Sequence, residues 1–108
     1  MKSPIRSSLA LLLALFCGQF VLADDVKELY KTKCNACHGA EGRGDTAAGK
    51  KFSAHDFHSA EVQKLTDQEL FERVKNGKGK MPAYKSKLTD EQIKDLVKYV
   101  RELGKPAN

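Results

Sequence analysis

The segment Cys34-Asn35-Ala36-Cys37-His38 places two cysteines three positions apart, with a histidine directly after the second one. In a helical turn, this spacing can present both sulfurs on one side, and the adjacent histidine can direct its imidazole toward the same side. The chain has 108 residues and three cysteines, and the third, Cys17, lies in an apolar stretch near the start. The pair Cys34 and Cys37 therefore decides what this small chain is built around.

The order Cys-x-x-Cys-His is typical of covalent attachment of a c-type haem, with the sulfurs on the vinyl groups and the histidine on iron. A disulfide between Cys34 and Cys37 is an alternative. A thioredoxin-like pair is another, although such a pair usually follows a strand in a βαβ unit, and no strand pattern is present. Zinc is the third, because His55 and His58 could complete a Cys2His2 set. Their spacing is shorter than is usual for zinc fingers, and His38 would be unexplained, so the pattern favours haem.

Haem iron takes a second axial ligand, and Met81 is the best candidate for the position opposite His38. It is the one methionine after residue 23, and it lies in a Gly-rich loop directly before Pro82. A thioether is a soft, neutral donor that favours reduced iron and raises the reduction potential. Methionine more often fills a core, but the loop placement counts against that role here. His55 or His58 as sixth ligand and an open position are the alternatives.

Residues 1–23 have the order of regions expected of a secretory signal. Lys2 and Arg6 precede an apolar run at 9–17, and Val21-Leu22-Ala23 follows. The run is shorter than the roughly 18–20 residues that cross a bilayer, which disfavours a retained anchor. We therefore predict cleavage after Ala23, export to the periplasm and a single domain at 24–108.

Loss of Lys2 and Arg6 with the signal lowers the formal charge from +5 to +3, so the basic balance of the remaining chain is mild. Its lysines are scattered among acidic residues and few aromatic residues accompany them, which gives no indication of nucleic-acid binding. After residue 23 there is also no apolar stretch that could span a membrane.

The apolar spacing after residue 23 predicts helices at about 25–36, 66–76 and 89–103. Glycines and polar residues predict that 39–65 is mostly loop. Each of the last two helices begins with a capping box. The boxes are Thr66 with Glu69 and Thr89 with Gln92. Because no strand pattern is found, the predicted class is all-α, with three to four helices around one haem.

Three segments together resemble the small, soluble bacterial class I cytochromes c, over nearly all of 24–108. The segments are Cys34-Asn35-Ala36-Cys37-His38-Gly39 with Glu41-Gly42-Arg43-Gly44, then Asn76-Gly77-Lys78-Gly79-Lys80-Met81-Pro82, and Leu88-Thr89-Asp90-Glu91-Gln92 leading into Tyr99-Val100-Arg101-Glu102-Leu103. The resemblance implies one haem with thioether bonds to Cys34 and Cys37, His38 as proximal ligand and Met81 as distal ligand.

The resemblance also implies that the first and last helices cross at near right angles with an aromatic contact. Tyr30 and Tyr99, with Leu96, are the matching candidates. One departure concerns the His38 ring, because residues 39–66 contain no proline that could supply a backbone acceptor. The hydrogen-bond partner of His38 is therefore left open.

These features predict a periplasmic carrier of single electrons, a monomer that exchanges electrons with redox protein partners and is not an enzyme. No set of catalytic acid, base and nucleophile is found. Several lysines lie in segments expected to frame the haem edge and could orient an acidic partner, although a merely solvated surface is nearly as good an explanation. They are Lys33, Lys50, Lys51, Lys78, Lys80, Lys85 and Lys87. The alternatives are a haem-based enzyme subunit or gas sensor with a labile sixth ligand, and a zinc-stabilised binding module.

Overall fold

The computed structural model describes residues 23–106, and within this part of the chain all regular structure is helical. The helices are α1 (Ala23–Lys33), α2 (Asn35–His38), α3 (Ala47–Phe52), α4 (Ala60–Gln63), α5 (Asp67–Asn76) and α6 (Asp90–Leu103). The remaining pairing is an isolated bridge between Lys78 and Met81. The predicted all-α class is confirmed. The predicted signal at 1–23 lies outside the described residues, except for its last position.

Helix α6 forms the centre of the packing, because its apolar residues recur every three to four positions and face the other helices. Ile93, Leu96 and Val97 on this face are at most 4% exposed. Helices α1 and α5 both contact α6. The ring centroids of Tyr30 on α1 and Tyr99 on α6 lie 5.1 Å apart in an edge-to-face arrangement, so the predicted aromatic contact is confirmed.

Both predicted capping boxes are present. The Thr66 hydroxyl accepts a hydrogen bond from the Glu69 N–H, and the Glu69 carboxylate accepts one from the Thr66 N–H. Thr89 and Gln92 make the equivalent pair of bonds at the start of α6. Each box satisfies donors that a helix start would otherwise leave without partners, which explains where these two helices begin.

The segment 39–65 is mostly loop, as predicted, but it also contains the short helices α3 and α4, which the sequence pattern did not predict. Thr46 caps α3 by accepting from the Gly49 N–H, and Ser59 caps α4 by accepting from the Val62 N–H. The Thr46 hydroxyl also donates to the Ala36 carbonyl at 2.7 Å, which joins α3 to α2. At Gly49 a Cβ would lie 2.2 Å from the Cys37 carbonyl oxygen. The glycine at this position therefore allows α3 to approach α2, although glycine is unfavourable within a helix.

The predicted helix at 25–36 is wrong in detail, because it divides at Cys34. Helix α1 ends at Lys33, and Cys34 stands between it and the short helix α2. The Cys34 N–H still donates to the Tyr30 carbonyl, so the hydrogen bonding of α1 continues up to the break. Within residues 23–106, no helix is both long enough and apolar enough to cross a membrane.

Candidate haem site

A single cavity of about 440 Å³ brings together all of the predicted site residues, Cys34, Cys37, His38 and Met81. The first three come from the turn after α1 and from α2, and Met81 comes from the loop after α5. Apolar side chains of α5 and α6, among them Leu70 and Val97, form much of the wall. The volume falls within the range of roughly 300–1,000 Å³ that is usual for small-molecule and cofactor sites.

Cys34 and Cys37 are separate, half-buried thiols that both line this cavity. The Cys37 N–H donates to the Cys34 carbonyl at 3.3 Å, so the two residues lie on one helical turn. Burial raises the pKa of the Cys34 thiol to about 11, which keeps it neutral near pH 7. The turn presents both sulfurs to an apolar cavity, and this fits the chemistry of thioether formation.

His38 is held by a hydrogen bond between its Nδ1 and the His55 carbonyl oxygen, at 3.3 Å. The segment after Gly44 comes this close because Gly44 lacks a side chain; a Cβ there would lie 2.5 Å from the Ala54 carbonyl oxygen. A carbonyl can only accept, so Nδ1 donates and Nε2 keeps its lone pair for a metal. Burial lowers the pKa of His38, which favours this neutral form. The backbone acceptor for the His38 ring is thus the carbonyl of His55 rather than that of a proline.

Met81 lies in a tight loop closed by two reciprocal hydrogen bonds. The Lys78 N–H donates to the Met81 carbonyl at 3.1 Å, and the Met81 N–H donates to the Lys78 carbonyl at 2.9 Å. At Gly77 the φ angle is +75°, and a Cβ would lie 2.7 Å from the Met81 carbonyl oxygen, so glycine is needed for the loop to fold back. The side chain of Met81 lines the cavity beside Pro82.

The alternative zinc set is not assembled. His58 Nδ1 lies 2.8 Å from the Asp56 carboxylate, and His55 Nδ1 lies 3.7 Å from the carboxylate of Glu61. Among residues 23–106, no group of three or more histidine, cysteine, aspartate or glutamate side chains is arranged to hold a metal ion. His55 contributes to the site through its backbone.

Two aromatic residues that sequence reasoning missed also line the cavity, Phe57 and Tyr84. The Tyr84 hydroxyl donates to the Lys33 carbonyl at 2.9 Å and so ties the loop before α6 to the end of α1. Burial raises the pKa of Tyr84, so the hydroxyl stays a donor near neutral pH. Phe57 is buried and packs against the ring of His38. For Phe57, the signal in the sequence was an aromatic residue within an otherwise polar stretch.

The charged residues that line the cavity are basic, and together they form what we call its basic wall. Lys33, Arg73, Lys78 and Lys80 line it, and in the described part of the chain no aspartate or glutamate does. None of the seven lysines predicted near the haem edge forms an ion pair with another described residue, whereas Lys75, Lys94 and Lys105 do. Phe52, which is 42% exposed, lies on the same wall.

A family model described as "Cytochrome C oxidase, cbb3-type, subunit III" matches residues 21–100. The chain belongs to this cytochrome c family. Its similarity to the cytochrome c6 of Gloeothece citriformis is 36% identity over 81 residues, which are 74% of this chain and 70% of that protein. The solved structure of the KustC0563 c-type cytochrome matches with a TM-score of 0.67 and 37% identity, over 73% of this chain and 96% of that one.

A third relative is the cbb3-type cytochrome c oxidase subunit CcoP of Azospirillum brasilense. It is 34% identical over 84 residues, which are 76% of this chain but only 28% of that subunit. Together the comparisons and the cavity support a small class I cytochrome c with one haem. This cytochrome therefore carries a covalently bound c-type haem and functions in electron transport.

Proposed function

We propose that this cytochrome is a periplasmic carrier of single electrons between redox proteins. When bound, the haem supplies a one-electron couple between ferrous and ferric iron. The observation that supports the proposal most is the convergence of Cys34, Cys37, His38 and Met81, from two separate segments, on one apolar cavity. The chain's part would be to hold the haem, to supply ligands to its iron and to exclude water.

The first segment supplies attachment and the proximal ligand. Cys34 and Cys37 would hold the haem through two thioether bonds, and His38 would bind its iron through Nε2. The hydrogen bond from His38 Nδ1 to the His55 carbonyl fixes the tautomer and makes Nε2 a better donor. Since α2 is only one turn long, all three groups are fixed by the same few backbone dihedral angles.

The second segment supplies the distal ligand. The Met81 sulfur would bind the iron when haem is present, and the two bonds between Lys78 and Met81 hold its loop in place. A ligand of this kind raises the reduction potential relative to a second histidine. With Met81 in this role, the iron would have no open position for a substrate or gas, which would separate a carrier from a haem enzyme or a gas sensor.

Carbon monoxide tests this assignment. We expect the reduced protein to bind it slowly or not at all, and Met81→Ala to bind it rapidly and to have a lower reduction potential. Val74→Ala is the matched control, because Val74 lines the cavity without offering a donor atom. Rapid binding by the unmodified protein would favour the sensor or enzyme. An unchanged spectrum and potential in Met81→Ala would exclude Met81 as ligand.

Export and the domain boundary are part of the proposal. The order of charged, apolar and small residues at 1–23 supports cleavage after Ala23, which leaves 24–108 as the mature domain. The measurement is the mass of the protein recovered from the periplasmic fraction of a bacterial host. A mass that still includes 1–23 would overturn the cleavage.

We further propose that the basic wall of the cavity docks an acidic surface of the redox partner, with the cytochrome acting as a monomer. Lys33, Lys78 and Lys80 line the cavity, have no acidic partner among the described residues and are free to make contacts with another protein. Complementary charges mainly accelerate encounter, by roughly 10–10³-fold at low salt.

The double variant Lys78→Glu, Lys80→Glu tests the docking surface. Its rate of electron exchange with an acidic redox protein should fall several-fold at low ionic strength and lose its dependence on salt. Lys64→Glu, Lys98→Glu makes the same change of charge at residues that do not line the cavity, and should leave the rate almost unchanged. Equal effects of the two variants would show that only net charge matters.

A second candidate is a subunit of a cbb3-type oxidase, which the family model and the similarity to CcoP favour. Size-exclusion chromatography of the protein from its own host separates the two candidates. A monomeric carrier elutes at the size of the domain, whereas a subunit elutes with an oxidase complex.

A further inference from the structure

The ring of Phe57 lies face to face with the imidazole of His38. The two ring centroids are 4.7 Å apart and the ring planes differ by 29°. Phe57 is 7% exposed, and both rings line the same cavity. The contact is therefore a buried, flat surface against one side of the side chain proposed above as the proximal ligand.

The hydrogen bond to the His55 carbonyl does not by itself define the plane of the His38 ring. Its length of 3.3 Å exceeds the usual range of about 2.7–3.2 Å for such bonds, so it is a weak restraint. It also acts on one atom, Nδ1, and leaves the ring able to rock about that atom. A flat side chain against the imidazole face limits this remaining motion.

Phe57 is itself held on several sides. Its N–H donates to the Gly42 carbonyl at 2.8 Å, and its carbonyl accepts from the Gln63 amide at 2.7 Å. The Gly42 backbone lies close to the ring, since a Cβ at Gly42 would lie 2.3 Å from Cδ2 of Phe57. The rings of Tyr30 and Phe57 are also in an edge-to-face arrangement, with centroids 6.4 Å apart. The ring is therefore packed against both Gly42 and His38, and the backbone bonds hold the segment that carries it in place.

We propose that Phe57 is a positioning residue that sets the plane of the His38 imidazole, and that its close contact with Gly42 helps to hold the Phe57 ring in place. The segment 55–57 thus supplies both restraints on His38, a backbone acceptor and a flat apolar face. The proposal rests on the ligation of iron by His38 described under the proposed function.

The plane of an axial imidazole determines which iron d orbital overlaps with the ligand, and so how unpaired spin spreads over a ferric haem. The proton NMR shifts of the haem methyl groups report this distribution directly. They do not depend on stability as long as the protein is folded, which makes them a measure of ring orientation rather than of packing in general.

The test compares the ferric holoprotein with Phe57→Leu, which keeps an apolar side chain but removes the flat face. We expect the order or the spread of the haem methyl shifts to change. Gly42→Ala should change the same signals, because the three atoms nearest to the added Cβ all belong to the Phe57 ring, and the backbone at φ +74° cannot easily give way. Leu88→Ala is the control: Leu88 is buried but does not line the cavity, so its loss should lower stability and leave the shifts as they are.

Shifts in Phe57→Leu that superimpose on those of the unmodified protein would overturn the proposal, as would equal changes in Leu88→Ala. If Phe57→Leu does not fold, Phe57→Met replaces it, since methionine adapts to irregular spaces. The optical spectrum distinguishes a failure of the proposed His38 ligation from a failure of the proposed role of Phe57. An unmodified protein without a low-spin, histidine-ligated spectrum would refute the ligation itself, whereas that spectrum with unchanged shifts would refute only the role of Phe57.

Discussion

Removal of the Tyr30 hydroxyl, in the variant Tyr30→Phe, isolates one buried hydrogen bond that ties α1 to the chain beyond α2. Tyr30 is 2% exposed, and its hydroxyl donates to the Gly39 carbonyl at 2.6 Å. The ring itself stays, so its edge contacts with Tyr99 and Phe57 remain. The substitution therefore changes one interaction and leaves the packing of the core as it was.

The expected size follows from the other partner of the Gly39 carbonyl. This oxygen also accepts from the Gly42 N–H at 3.1 Å, so it is not left without a partner in the variant. The loss is then that of one ordinary bond, about 0.5–1.5 kcal/mol, rather than the penalty of an orphaned buried group. For a domain of this size, each kcal/mol corresponds to a fall in Tm of roughly 4–8 °C.

Guanidinium and thermal denaturation of the holoprotein, followed by far-ultraviolet circular dichroism, measure the difference. Tyr99→Phe is the matched control, because the Tyr99 hydroxyl makes no hydrogen bond to another residue of 23–106; its effect should be within about 0.5 kcal/mol. A neutral Tyr30→Phe, or a Tyr99→Phe that costs as much, would contradict the assignment of this bond.

Three further predictions concern stability. Ile93 is fully buried, so Ile93→Ala should lower the free energy of unfolding by about 2–5 kcal/mol in denaturant titrations, and a cost below 1 kcal/mol would refute its central place in the core. Thr89→Ala removes the side chain that accepts from the Gln92 N–H and should cost about 1 kcal/mol in the same assay, with Gln92→Ala costing less. Burial, and to a smaller extent Cys34, raises the pKa of Tyr30, and burial raises that of Tyr84. These tyrosines ionise first in the unfolded chain, so their contribution to stability is complete below about pH 10 and is lost as the pH rises further; tyrosinate absorbance that appears before unfolding would contradict this order.

The helices that could be predicted from sequence are those in which two local signals coincide. At α5 and α6 an apolar stripe begins within a few residues of a capping box, and both signals act within one or two turns. Helices α3 and α4 are too short to show a stripe. Their formation depends on contacts with distant residues, such as the bond from Thr46 to the Ala36 carbonyl, which no local pattern reveals.

The candidate site also has one part that could be predicted from local sequence and another that depends on the folded chain. Cys34, Cys37 and His38 are adjacent in sequence, so their chemistry could be inferred from their order. The acceptor for His38 is a backbone carbonyl 17 positions away, and a carbonyl is common to every residue type. Its approach is set by glycines at 42 and 44, whose missing side chains make room for Phe57 and the Ala54 carbonyl. Such close approaches become visible only when the chain is folded.

The mass of the purified, denatured protein is the most direct test of the claim that this chain holds one haem through Cys34 and Cys37. After expression with haem-attachment machinery, we expect the mass of the polypeptide plus one haem, and a coloured protein with the absorption of a c-type cytochrome. Replacement of both cysteines by alanine should remove the covalent addition. A colourless product with the mass of the polypeptide alone, from the unmodified chain under the same conditions, would contradict the account.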